Sequence, residues 1–343
     1  MVVTVFIYGG SNSLLKTGWT AGLQEDFPPH SVVNHSIGAT TSVTAIYQML
    51  TNAKIRHEPG DVVVWEYALN EANHITKGLD PEIALGNTER FIRECARREL
   101  KLAAAVFTPL DQEMAEERMP YYSMLHALFQ HYGIEIFDVS QTWRLQNDVP
   151  RVPRRLYRNK AHYADDPEIR NFIIAGVKTA LGKAQRPMNV SPLRCGPGEL
   201  HVELAKTGER FENSRISALV APINYRMEFS RKGAVVGLAA LVHPNSRSGL
   251  HVRLDRRNRV ESMANFSTAG AKSMGKPIMK VYSAEAAKNV TWDVIPGDVL
   301  DIGPLNSAGL LYSETSSRGE LKRLDEVQPA SFIGVVMELS ETD

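Results

Sequence analysis

Cysteine is scarce: Cys95 and Cys195 are the only two in 343 residues. They lie far apart, with no CxxC and no Cys/His spacing of the zinc-binding kind, so neither a disulfide framework nor a metal site is expected, and no cofactor is indicated. An excess of one charge is also missing. Thirty-nine basic residues balance thirty-nine acidic ones, which argues against nucleic acid or a membrane surface as partner. Long apolar runs are absent too. The longest late one, AVVGLAALV at 234 to 242, falls far short of the roughly 18 to 20 residues needed to span a bilayer. MVVTVFI at the N-terminus carries no basic flank and is too short for a signal-peptide core, so a cytoplasmic location is the expectation. What is present, 43% hydrophobic and 23% charged residues, suffices for two globular domains.

In the first half, short β-branched runs alternate with helical periodicity, the pattern of an α/β fold with a parallel sheet. VVTVFIY (2 to 8), HSVVNHS (30 to 36), DVVVWEY (61 to 67), KLAAAVFTP (101 to 109) and IEIFDVS (134 to 140) read as five strands. Helices are expected after Thr41 or Ser42, over 81 to 99, from Pro120 to Gly133, and from Asp166-Pro167 to about Gly182, the last with a capping aspartate, an N1 proline and a terminal glycine. The segment 183 to 198, KAQRPMNVSPLRCGPG, reads as a linker. Beyond it, ELHVELA, ISALVAP, GLHVRL, IMKVYS, VLDIG and SFIGVVMEL are strand-like runs between turn residues. A β-sandwich or jelly-roll-like domain is therefore expected over 199 to 343, after an α/β domain over 1 to 182.

Functional loops of a parallel α/β sheet lie at the carboxyl ends of its strands. Those ends carry GGSNS after the first strand, Gly38 after the second and ALNE (68 to 71) after the third; RNKAHY (158 to 163) precedes the last helix. These loops offer a hydroxyl, backbone amides, a carboxamide and an imidazole. A serine hydroxyl is a weak nucleophile at its own pKa and needs a base, for which neutral imidazole is suited. Ser11 and His162 are that candidate pair. The Ser11 amide, the Gly38 amide and the Asn70 side chain are candidate donors to an oxyanion. Trp65, Tyr67 and Arg158 are weaker candidates for substrate contact. The basic run 151 to 160 reads either as an attractor of anionic substrate or as a solvated loop.

The order Ser11, Gly38, Asn70, His162 resembles the SGNH hydrolase superfamily, the GDSL-type esterases. Gly9-Gly10-Ser11 matches its Gly-Asp-Ser block, Gly38 its second-block glycine, Ala68-Leu69-Asn70-Glu71 its Gly-x-Asn-Asp block and Asn159-Lys160-Ala161-His162 its Asp-x-x-His block. The resemblance covers 1 to 182 and implies a flavodoxin-like parallel sheet flanked by helices. It also implies ester hydrolysis through an acyl-enzyme, with Asn159 in the position of the acid that orients the base. The chain departs from the family in three places: Gly10 for aspartate, Ala68 for glycine and, most consequentially, Asn159 for a carboxylate. Asp165 and Asp138 are the carboxylates that could substitute there, less directly than Asn159.

The β-rich half, as a module of a kind that often binds sugars, points to an acylated carbohydrate or polysaccharide as substrate, and is a candidate surface for self-association. Two other functions fit the same residues. One is an O-acyltransferase, in which a sugar hydroxyl resolves the acyl-enzyme; the other is a non-catalytic glycan-binding or assembly protein whose site has decayed.

Overall fold

The computed structural model describes residues 3–52, 56–213, 216–222, 224–242, 249–267, 277–287, 292–304, 311–312 and 330–340. Its contacts divide the chain into two units. One comprises 1–45, 55–76 and 84–195, the other 46–54, 77–83 and 196–343.

The first unit is built on five parallel strands, β1 (Val5–Gly9), β2 (Val32–Asn34), β3 (Val62–Glu66), β4 (Lys101–Val106) and β5 (Glu135–Asp138), in the order β2-β1-β3-β4-β5. β1 and β3 are buried at every position, which is why they read as continuous apolar runs rather than alternating ones. Helices α1 (Trp19–Glu25) and α8 (Pro167–Lys183) cover one face, where Trp19, Leu23, Ile169, Ile173 and Val177 join Ile7, Val64 and Ala103 in one core. Against the other face, Phe91 of α4 (Pro81–Arg97) packs edge-on to Tyr8, and Phe129 of α6 (Tyr121–His131) to Trp65. The first strand is followed by a 3₁₀ turn, Ser11–Leu14.

Two segments depart from the sequence reading. The stretch after β3 is a helix, α3 (Ala68–Ile75), so Asn70 sits in a first helical turn and not in a loop. Glu71 secures that helix. Its carboxylate, fully buried, accepts from the amide and hydroxyl of Ser42 at 3.1 and 2.6 Å and from the Tyr121 hydroxyl at 2.5 Å. Ser42 opens α2 (Ser42–Thr51). The run IEIFDVS is a strand only to Asp138, whose side chain accepts from the Gln141 amide at 2.8 Å and caps α7 (Val139–Asn147). Residues 183 to 195 cluster with this first unit. Glu89 of α4 holds their end, accepting the amides of Leu193, Arg194 and Cys195 at 2.7, 2.6 and 2.9 Å.

The second unit holds two main sheets of mostly antiparallel strands. In one, β8 (Gly233–Val242) and β13 (Ser331–Leu339) are central, flanked by β11 (Ile278–Ser283) and β6 (Leu200–Leu204). In the other, β9 (Gly249–Arg256) pairs with β10 (Arg259–Ser267) and β12 (Val299–Pro304), and β12 in turn with β7 (Tyr225–Glu228). Leu238, Ala240, Val335 and Met337 of the first sheet share one core with Val252, Leu254, Leu300 and Ile302 of the second. Two sheets with a common apolar interior make a β-sandwich.

Candidate active site

In a sheet ordered 2-1-3-4-5, the connections leaving β1 and β3 diverge to opposite faces, which opens a crevice at the carboxyl ends of those two strands. Ser11 lies there, one residue past Gly10, whose amide donates to the backbone oxygen of Glu66 at the end of β3 at 3.1 Å. The Glu66 side chain reinforces this turn, accepting from the Gly10 amide at 3.0 Å and from the Ser13 hydroxyl at 2.6 Å. It is fully buried, and burial pushes its pKa up to about 7 against the hydrogen bonds from Ser13 and Gly10.

Ser11 and His162 meet across 151 residues, with Oγ of the serine 2.8 Å from Nε2 of the imidazole. The other ring nitrogen, Nδ1, is 2.9 Å from Oδ1 of Asn159. That amide oxygen also accepts the backbone N–H of Ala161 at 2.9 Å, which fixes which end of the carboxamide faces the ring. An acceptor there requires the proton on Nδ1 and leaves the Nε2 lone pair for the Ser11 hydroxyl. Asn159 thus sets the tautomer a general base needs without supplying a negative charge. The pKa of His162 is lowered from its ordinary value, first by burial and then by the nearby Arg158 guanidinium, which favours the neutral ring.

Gly38 and Asn70 both come close to the Ser11 turn. A Cβ placed on Gly38 would lie 3.6 Å from the Ser11 Cβ. Asn70 is buried and donates one Nδ2 hydrogen to the Thr40 carbonyl at 2.8 Å. A side chain at Gly10 would clash with Nδ2 of Asn70, its Cβ also coming within 2.8 Å of Cγ and Oδ1. Gly10 therefore leaves room for the Asn70 carboxamide.

The weaker candidates fare differently. Trp65 and Tyr67 are corrected: both are 0% exposed, and Trp65 donates its indole N–H to Ser42 at 2.9 Å, so neither presents a surface to substrate. Arg158 is exposed and faces Asp165 at 3.5 Å. Arg155 and Lys160 of the same basic run face Glu168 and Asp111 at 2.6 and 3.4 Å, which offsets much of its charge. Asp138 is held by Arg118 and His126 at 3.0 and 3.1 Å. Neither Asp165 nor Asp138 takes the place of Asn159 beside Nδ1.

Two residues of the site escaped the sequence reading. Glu66 had a signal, a carboxylate inside the apolar run VVVWE. Asn12, the residue after Ser11, had none beyond its neighbour: it is 2% exposed and bonds the backbone on both sides of His162, donating to the Ala161 carbonyl at 2.9 Å and accepting from the Tyr163 amide at 3.2 Å.

No protein-family model matches the chain, and no curated protein matches it in sequence. Solved structures do. A two-domain esterase (CEX) active on acetylated mannans, co-crystallised with mannopentaose, aligns at TM-score 0.64 and 9% identity over 100% of this chain and 92% of its own. A second structure of a two-domain esterase of that description aligns at TM-score 0.58 and 10% identity over 99% and 92%. A member of the lipolytic protein G-D-S-L family from Veillonella parvula covers 53% of this chain and 99% of its own at TM-score 0.44 and 11% identity. The chain shares the fold of the two-domain esterase: an α/β unit on a parallel sheet, followed in sequence by an antiparallel β-rich unit.

Proposed function

We propose that the protein is an ester hydrolase that works through an acyl-enzyme on Ser11, with an acyl group on a carbohydrate as its substrate. The observation that carries the chemistry is the relay from Ser11 Oγ through His162 to Asn159, with both hydrogen bonds at 2.8 to 2.9 Å. The proposed sequence begins as the Ser11 oxygen attacks the ester carbonyl while its proton passes to Nε2 of His162. Negative charge then develops on the carbonyl oxygen, where the Ser11 and Gly38 amides and the remaining Asn70 N–H are the proposed donors. The imidazolium returns its proton to the departing alkoxide, which leaves as the alcohol and breaks the ester bond. Water, deprotonated by the same ring, attacks the acyl-Ser11 carbonyl, and the proton goes back to Ser11 as the carboxylic acid is released.

The substrate class rests on likeness of fold across both units to an esterase described as active on acetylated mannans. Fold alone does not fix function, so the test is direct. Purified protein should hydrolyse p-nitrophenyl acetate and release acetate from acetylated mannan, and Ser11→Ala should abolish both. An unchanged rate in that variant would remove Ser11 from the mechanism. Acyl transfer to an added sugar acceptor that outruns hydrolysis would instead assign an O-acyltransferase. Inert wild type that still binds glycan would assign a decayed site.

A further inference from the structure

The base and the nucleophile lie on segments 151 residues apart, and reaction requires their atoms to stay in register within a fraction of an ångström. The base segment has its own internal ties: the amides of Arg158 and Asn159 donate to the His162 carbonyl at 2.9 and 3.4 Å, and Tyr163 stacks on Tyr157 with ring centroids 4.5 Å apart. These shape the turn but do not attach it to the nucleophile. Asn12 does. Its carboxamide uses both ends, the N–H on the carbonyl before His162 and the oxygen on the amide after it, and it is joined to Ser11 by a single peptide bond. At 2% exposure it makes these bonds away from competing water, where a lost partner is costly.

We propose that Asn12 is a positioning residue that clamps the base segment to the nucleophile turn and so sets the Ser11–His162 hydrogen bond. The inference rests on the Ser11 mechanism above. Asn12 touches no reacting atom. It keeps the imidazole from drifting, and a misplacement of about 1 Å at such a centre costs roughly 10²-fold in rate. The clamp also keeps His162 half-buried, and that burial is the first cause of its lowered pKa.

The test compares wild type, Asn12→Ala and Asn12→Asp in the full chain. The alanine removes both bonds; the aspartate keeps an acceptor for the Tyr163 amide but turns a carboxylate towards the Ala161 carbonyl. The readouts are the rate of Ser11 labelling by a fluorophosphonate, kcat and KM for p-nitrophenyl acetate, the acid limb of the pH profile and the melting temperature, with rates normalised to the folded fraction. Asn12→Ala should label to the same endpoint at a rate and kcat lower by roughly 10²-fold. KM should stay within about twofold, and the acid limb should move up towards the ordinary imidazole range as the ring gains water. Asn12→Asp should show the same direction. A merely structural asparagine would lower the melting temperature without moving the acid limb. Variants that keep the wild-type labelling rate and acid limb overturn the clamp and leave the Ser11 mechanism standing. A wild type that does not label at Ser11 overturns both. Should the alanine variant fail to fold, the aspartate variant decides by its labelling rate and kcat alone, because its own charge moves the acid limb.

Discussion

At the scale of single residues, Asn159 decides how the proposed base, His162, behaves. A carboxylate in its place would fix the same tautomer and also stabilise the imidazolium. The carboxamide does only the first: Oδ1, bonded to Ala161 N–H and His162 Nδ1 together, fixes the tautomer, but the group carries no negative charge. Since Asn159 is exposed, solvent screens much of what a charge would add. Asn159→Asp should therefore raise kcat by an amount on the order of tenfold, about 1.4 kcal/mol of barrier. It should also shift the acid limb of kcat/KM upwards, because a nearby anion favours the protonated ring. Wild type, with His162 lowered, should keep its activity to a pH below the ordinary imidazole value. A pH–rate profile of the two proteins checks both statements.

Glu66 makes a second residue-scale prediction, this one about stability. Its folded pKa of about 7 lies above the ordinary 4.5, so the folded state holds a proton that the unfolded state releases. The associated stability is fully present below about 4.5 and is lost as pH rises through about 7. At roughly 1.36 kcal/mol for each pKa unit, the loss is on the order of 3 kcal/mol. Glu66→Gln keeps an acceptor for Gly10 and Ser13 but cannot ionise. The difference in unfolding free energy between wild type and Glu66→Gln, measured by denaturant titration across that range, should fall by this amount as pH rises. A flat difference would show that Glu66 ionises normally.

Among the elements, legibility followed physical cause. β1 and β3 could be read because strands buried on both faces must be apolar throughout. The last helix could be read because its start is written locally: Asp166 accepts the Glu168 amide at 2.8 Å and Pro167 follows. α3 could not. It begins directly off β3 with no side-chain cap at Tyr67, and what secures it is Glu71 bonded to Ser42 and Tyr121, partners brought by tertiary folding. α8 also meets β5 at one tight point, where a Cβ on Gly176 would overlap the ring of Phe137. Gly176→Ala, although favourable for an isolated helix, should therefore destabilise the protein by about 1–3 kcal/mol through overpacking. Adding Phe137→Leu should return part of that loss in a thermal or denaturant melt.

For the whole molecule, the order of Ser11, Gly38, Asn70 and His162 along the chain was visible because a parallel sheet sends each strand's carboxyl end to the same edge. The bonds that complete the site were not. Asn12 reaches residues 149 and 151 positions away, and no local pattern encodes such a pairing. Trp65 and Tyr67 misled for a related reason: proximity to Asn70 in sequence suggested the rim of the site, whereas β3 is buried on both faces and Trp65 packs on Phe129 of α6 in the core. In the second unit, runs of apolar residues between turns pointed to a β-sandwich or jelly-roll-like domain, since each sheet needs an inner face to bury, and the two sheets share one core.

The central claim is that Ser11 is a nucleophile activated by His162 although no carboxylate supports the base. Labelling with a fluorophosphonate, followed by mass-spectrometric mapping of the modified residue, tests it without knowledge of the acyl group or the acceptor. The account predicts one label per chain, on Ser11, lost in Ser11→Ala and slowed by orders of magnitude in His162→Ala. A label on another residue, or folded wild-type protein that takes up none, would contradict it.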